Sequence, residues 1–291
     1  MSSFYQGILV FTALNVMIVA GLYLLMGVTG LVSFGHAGFM AIGAYASALL
    51  MLNLRLPSAL AWAGGTLVSV LVALVIGYPT LRLRREYFVL ATMGVGEAIR
   101  ALVTALPGIT GGAVGLPGIP LSAGPWAILL LAAASLALVR NFVRSKYGRN
   151  CIALMSDPLA AEAMAIDTFW YKQAAFAISA GLAGLAGALF AHYITYIEPN
   201  MFGWNRSAEL VTIVFFGGLQ SLTGGVMATV FITTLPEILR FAAAWRFVIY
   251  AVAILVVILY RPGGLCGNFE VSWEWLGQLA ARVRRERREP S

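Results

Sequence analysis

Seven apolar stretches, each close to or beyond the length of a bilayer crossing, govern what this chain can become. They lie at residues 7–30, 36–52, 59–80, 87–106, 124–142, 173–197 and 225–260. A helix needs about 20 mostly apolar residues to span the hydrocarbon core. In lipid no water satisfies the backbone, so such runs must become helices that bond internally. Composition agrees: 60% of the 291 residues are hydrophobic and 11% charged, against about 45–50% and about 25% in soluble domains. With a mean hydropathy of +0.87, a soluble fold of this size has too little interior for so much apolar surface. The sequence therefore predicts an all-α polytopic membrane bundle of about 8–10 spanning or partly spanning helices. It forms one transmembrane domain over residues 1–291, with no soluble domain. No Lys or Arg precedes the first run, so residues 7–30 read as a retained helix rather than a cleaved signal.

Charge sets the expected orientation. Arg82, Arg84 and Arg85 mark one connection, and Arg140, Arg144, Lys146, Arg149 and Lys172 another, whereas residues 107–124 carry no charge. Positive residues favour the cytoplasmic side, which places the two basic connections inside and the uncharged one outside. The tail at 261–291, with Arg282, Arg284, Arg285, Arg287 and Arg288, belongs inside as well. Anionic lipid headgroups and topology control account for that tail, and nucleic acid is not an expected partner. Cys151 and Cys266 have no metal-ligand spacing and read as reduced, incidental thiols.

This orientation creates a parity constraint. Residues 196–206 fall outside and the tail inside, yet residues 225–260 supply two helices, broken near Ala244–Arg246. Residues 209–217 must add a crossing, alone or together with the next run of the chain. They are too short for a regular span, so a short or broken helix is expected, interrupted at Gly217-Gly218-Leu219-Gln220-Ser221. A similar break, Gly30-Leu31-Val32-Ser33-Phe34-Gly35-His36, opens the second span. Paired interruptions point to a transport site between helices; ordinary tight connections remain the competing explanation.

Several polar residues sit inside apolar runs. Glu97 and Arg100, three apart on one helix face, fall well inside the run 87–106 and can pair. Buried charges in a membrane face the bundle interior or water, which leaves two readings: a polar patch beside a substrate path, or an ion pair locking two helices. His36 is either hydrogen-bonded packing or a ligand, and with no second histidine or carboxylate at helical spacing no metal site is expected. His192 belongs near the outer end of its helix. Ala180, Gly184 and Ala188, with Ala183, Gly187 and Ala191 on a neighbouring ridge, let helix backbones touch.

The connection at about 144–172 is longer than a bundle requires. Asp157 is placed to cap a helix whose first residue is Pro158, and Leu159, Ala163 and Ile166 share one side of it. Either this helix docks in a partner's groove or it lies on the membrane surface. No Gly-x-x-x-x-Gly-Lys-Ser/Thr loop is present, so the chain does not hydrolyse ATP by that route. Neither a Gly-x-Ser-x-Gly elbow nor a His-Glu-x-x-His motif occurs.

Taken in order, these motifs resemble the LivM-type permeases of branched-chain amino acid ABC importers. The likeness rests on Leu31-Val32-Ser33-Phe34-Gly35-His36-Ala37-Gly38-Phe39, on Tyr87-Phe88-Val89-Leu90-Ala91-Thr92 leading to Glu97-Ala98-Ile99-Arg100, and on Thr110-Gly111-Gly112. It continues through Gly115-Leu116-Pro117-Gly118, Ala160-Ala161-Glu162-Ala163, Gly217-Gly218-Leu219-Gln220 and Arg261-Pro262-Gly263-Gly264. The resemblance covers nearly the whole chain. It implies a bacterial inner-membrane complex with a second, LivH-type permease, two cytoplasmic ABC ATPases that bind ATP and Mg, and a periplasmic solute-binding protein. This chain would then hold no cofactor and catalyse no reaction. The resemblance also makes 156–166 a coupling helix, with Asp157, Leu159, Ala161, Glu162, Ala163 and Ile166 at the ATPase. Candidate pathway residues are Ser33, Gly35, His36, Glu97, Arg100, Gly217, Gly218 and Gln220. Two departures stand out: Ala165 occupies a position that is usually glycine in the family, and Gln220 replaces a small residue. Relatives carry amino acids, urea, amides and other small carboxylates. The rival function is a stand-alone secondary carrier or channel.

Overall fold

The computed structural model describes residues 3–238 together with Val252, Leu255, Leu259 and Gly264. In chain order the helices are α1 (Ser3–Tyr23, continued by a π-helical turn at Leu24–Val28), α2 (His36–Leu54), α3 (Ser58–Thr80), α4 (Arg85–Ala105) and the short α5 (Pro107–Thr110). Then come α6 (Pro125–Arg144), α7 (Lys146–Ser156), α8 (Pro158–Ala163), α9 (Thr168–Ile194), α10 (Trp204–Gly217) and α11 (Leu222–Ile238). Six of the described helices are long and apolar enough to cross a membrane: α1 with its π turn, α2, α3, α4, α6 and α9. The chain is an all-α multi-pass membrane bundle, and the first six expected spans fall within a few residues of their predicted positions. The break expected near Ala244–Arg246, Cys266 and the basic tail lie outside the described residues.

The helices stop and start where local chemistry requires it. Asp157 accepts hydrogen bonds from the Leu159 and Ala160 N–H groups at 3.0 and 3.1 Å. Asp167 does the same for Phe169 and Trp170 at the start of α9. These carboxylates satisfy donors that have no partner within the helix.

α9 is the hub. Most of its apolar window is buried, and it packs against α1, α2 and α3. Its small residues make this possible. A methyl group added at Gly184 would strike Ser69 of α3, one at Gly43 of α2 would strike the Gly184 carbonyl, and one at Gly187 would strike the Met40 carbonyl of α2. Without a hydrophobic drive between helices in lipid, such close approach lets dispersion and interhelical hydrogen bonds hold the bundle. Two such bonds are Ser69 Oγ to the Phe39 carbonyl at 2.9 Å and Gln173 Nε2 to the Leu74 carbonyl at 2.9 Å. By contrast α3, α4 and α6 bury only one stripe each.

The ends of the bundle sort by charge. Gly30 lies between Met155 of α7 and Arg85, with φ of +72°, so both basic connections share one end. At the other end, a two-residue strand β1 (Leu116–Pro117) pairs antiparallel with β2 (Tyr196–Ile197). Tyr196 Oη donates to the Val114 carbonyl at 2.6 Å, closing the uncharged connection onto the end of α9.

α10 is a short helix of the kind the parity constraint calls for. α10 starts at Trp204, five residues earlier than the sequence suggests, and at 14 residues is about 20 Å long. It runs toward the basic end and stops at Gly217, where Gly218 takes a φ of +102°. α11 then doubles back beside it: a methyl at Gly217 would meet Gly224 and Gly225. Asn15 of α1 touches Arg206 near the start of α10 and Thr233 late in α11, so those two positions stand at one level. The short helix is thus the descending arm of a glycine-hinged hairpin.

Candidate functional site

The segment 29–35 is a non-helical insertion within the bundle. α1 ends near the basic end, where Gly30 meets Arg85, and the chain then climbs to Gly35, which abuts the Thr92 carbonyl of α4. α2 therefore begins inside the bundle. Its first N–H groups need partners there, since each buried unpaired donor is costly in lipid. Other elements supply them. Thr92 Oγ1 accepts from the Phe34 N–H at 3.2 Å, and Ser207 Oγ of α10 accepts from the Ala37 N–H at 3.0 Å. Ser33 Oγ lies 3.4 Å from the Gly35 N–H.

One turn further along α4 sit Glu97 and Arg100. Glu97 is about 18 Å along the axis from Arg85, well inside the span. Its Oε2 accepts from Arg100 Nε at 2.7 Å, and its Oε1 accepts from the Trp204 backbone N–H at 2.8 Å. The carboxylate therefore caps α10 from a different helix, where it also meets the positive end of that helix dipole. The two side chains are 34% and 35% exposed, so the pair is half-buried rather than sealed in the core. Arg100 spends only Nε on the pair.

His36 and Ser33 are fully buried. The His36 ring points toward α9, with Nε2 2.6 Å from Ser179 Oγ, and Nδ1 is buried without a partner. The ring packs edge-on against Phe39. His192, near the α9 C-terminus as expected, lies buried with Nδ1 3.4 Å from the Pro120 carbonyl. Gly217 and Gly218 are buried and Gln220 is exposed at the α10–α11 turn, where Leu219 packs on Gly27 of α1. The eight candidate pathway residues thus separate. Gly35 joins Glu97 and Arg100 around the starts of α2 and α10, Ser33 and His36 turn into packing, and Gly217, Gly218 and Gln220 lie at the far end of α10, about 20 Å away.

Sequence reasoning missed the groups that bind these elements together: Thr92, Ser207, the Trp204 amide, and a network of Asn15, Arg206 and Glu209. Arg206 donates to Asn15 Oδ1 and, at 2.7 Å, to Glu209 Oε2; Asn15 Nδ2 donates to Thr233 Oγ1 at 3.2 Å. Asn15 carries a legible signal, a lone amide inside an apolar run. Ser207 and Thr92 carry none, because hydroxyls are common in membrane helices.

At the basic end, α7 and α8 project beyond the spans. Leu159 and Met164 are 79% and 77% exposed, Glu162 and Ala163 are exposed, Ile166 is half-buried, and Ala161 faces inward at 4%. Glu162 Oε1 accepts from Thr168 Oγ1 at 3.2 Å, tying α8 to the start of α9. Ala165 between them has φ of +57°, a conformation suited to glycine. Burial pushes the Cys151 thiol of α7 up to about 11.

Comparison with known proteins places this architecture. Residues 4–259 match the family described as branched-chain amino acid transport system, permease component. The chain is 30% identical over 290 residues to the high-affinity branched-chain amino acid transport system permease protein LivM of Salmonella typhimurium, covering 87% of this chain and 68% of that protein. It is 29% identical to LivM of Escherichia coli K12 with the same coverage. Over 186 residues, it is 27% identical to the autoinducer 2 import system permease protein LsrC of Salmonella paratyphi B, covering 59% of this chain and 53% of that protein. No solved structure matches the chain. Because the match runs from the first helix through both breaks, the chain belongs to the family of permease components of branched-chain amino acid transport systems.

Proposed function

We propose that this protein is a passive permease subunit of an ATP-binding-cassette importer in the bacterial inner membrane, forming part of the path for branched-chain amino acids or a related small carboxylate or amide. The observation that carries this reading is family membership across residues 4–259 in a chain whose sequence has no phosphate-binding loop. Energy then comes from separate ATPases that bind ATP and Mg, and this chain needs no cofactor of its own. A second, LivH-type permease and a periplasmic binding protein complete the assembly.

The geometry supports a division of labour. With the basic end cytoplasmic, exposed Leu159, Glu162, Ala163 and Met164 form a mixed apolar and acidic face suited to seating on an ATPase. The rigid links from Asp157 through Glu162 to Thr168 would pass a displacement of α8 to α9, the hub of the bundle. Further from the basic end, the half-buried Glu97 and Arg100 pair lies beside the junction of α2, α4 and α10. There the unspent guanidinium nitrogens suit the carboxylate of an amino acid.

Proteoliposomes containing the complete complex test the reading. ATP-dependent accumulation of radiolabelled leucine, abolished when the ATPases are omitted, is expected. Accumulation of solute against a gradient by this chain alone would overturn it in favour of a stand-alone carrier.

A further inference from the structure

A groove runs along α1 between α6 and α11, on the side away from α9. It consists of two cavities of about 550 and 590 Å³ that share Leu136 and Val226. The upper one is lined by apolar side chains and threonines, from Tyr5 and Leu129 downward. The lower one ends at the basic face, where Arg140, Asn141 and Arg144 replace the apolar lining. From Leu129 to Arg144 along α6 is about 22 Å, longer than the roughly 15 Å of a single leaflet's hydrocarbon.

The arginines at the mouth lack a counter-charge among the described residues. The two ion pairs found there are Glu97–Arg100 and Glu209–Arg206, no described carboxylate lines the lower cavity, and Arg140 Nη2 is buried with no hydrogen-bond partner. A withdrawn guanidinium nitrogen beside apolar surface is costly unless an anion meets it. The occupant must therefore carry negative charge at the headgroup level of the basic leaflet and an apolar tail reaching toward the bilayer centre. Residues 265–291 of this chain carry five arginines against Glu270, Glu274, Glu286 and Glu289, a net charge of the same sign as the mouth, so they offer it less than a lipid phosphate does. A guanidinium fork suits a phosphate, and basic pockets between spans on the cytoplasmic side are suited to anionic headgroups.

We propose that this groove binds an anionic phospholipid, with its phosphodiester on Arg140 and Arg144 and an acyl chain along Leu136 and Val226. Such a lipid would fill the seam between α6 and the hairpin arm α11.

The test is titration of the delipidated full-length protein with phosphatidylglycerol, phosphatidylcholine or inorganic phosphate, read by native mass spectrometry. Phosphatidylglycerol should bind at least ~10-fold more tightly than phosphatidylcholine, a difference of about 1.4 kcal/mol. Arg140→Gln/Arg144→Gln should abolish that preference, whereas Arg82→Gln/Arg84→Gln, on the same basic face, should retain it. Val226→Phe should weaken phosphatidylglycerol binding with both arginines intact, which separates loss of the groove from loss of charge. Equal binding of both lipids, a preference that survives in the Arg140/Arg144 variant, or displacement of phosphatidylglycerol by millimolar phosphate would overturn the proposal. So would a gain of the preference only after truncation at Gly264, which would make the chain's own tail the occupant.

Discussion

Glu97 performs two separable jobs, and its substitution can tell them apart. The carboxylate pairs with Arg100 through Oε2 and caps α10 through Oε1. In Glu97→Gln, the amide oxygen can still accept from the Trp204 N–H, and only the ion pair is lost. That pair is about one-third exposed, so its loss should cost ~0.2–1 kcal/mol. Glu97→Ala removes the cap as well, adding ~0.5–2 kcal/mol and leaving the first donors of α10 unsatisfied within the membrane. The alanine variant should therefore be clearly less stable than the glutamine variant in thermal unfolding in nanodiscs. Trp204 fluorescence gives a local reporter at the capped residue. Arg100→Gln should match Glu97→Gln, and the double variant should be little worse than either single one, because both remove one shared interaction. Equal destabilisation by Gln and Ala, or no effect of Ala, would refute the capping argument. Uptake by the assembled complex then reports on the other role. If Glu97→Gln keeps its stability but loses transport, the charge serves the path; if transport persists, the residue serves the scaffold.

Two further expectations concern the basic end. Ala165 holds a left-handed conformation that costs a non-glycine residue roughly 1–2 kcal/mol, partly offset by the greater chain entropy of glycine, ~0.5–1 kcal/mol. Ala165→Gly should thus slow hydrogen exchange in α8 by a few-fold and Ala165→Val should accelerate it; the reverse order would sink the strain argument. Cys151, pushed up to about 11 from 9.0 by burial, should react with maleimide at pH 8 at least ~100-fold more slowly in the folded protein than in detergent-unfolded chain, measured in a Cys266→Ser background. Because the folded state holds this proton more tightly, the stabilisation it brings is whole below pH 9.0 and fades as pH rises toward 11. Equal labelling rates would show that the thiol is open to solvent.

The boundary between what sequence and tertiary structure decide is instructive at individual residues. Length and hydrophobicity alone fix the six long spans, because a bilayer leaves an apolar run of about 20 residues no option but a helix. Charge placement sorts the two ends, and the small-residue ridges of α9 foretell close packing, since only glycine and alanine let backbones approach so nearly. The cap at Asp157 is equally legible, its bonds spanning two or three residues; Asp167 caps α9 by the same local chemistry, although it is not among the caps expected from the sequence.

What the sequence leaves open is which distant groups meet. Glu97 and Arg100 predict a pair by their spacing, but that the carboxylate also caps α10, 107 residues away, comes only from how α4 and α10 cross. His36 and Gly35 are neighbours in the chain, yet the His36 ring turns against Ser179 of α9 while the Gly35 backbone abuts Thr92 of α4, because Gly35 closes the non-helical segment and His36 opens α2. The two glycine breaks look alike in sequence but lie at different places, one inside the bundle beside α4 and one at the far end of α10. Local chemistry decides where the backbone breaks, whereas the side chains filling the space beside each break come from other helices, and no spacing along the chain records them.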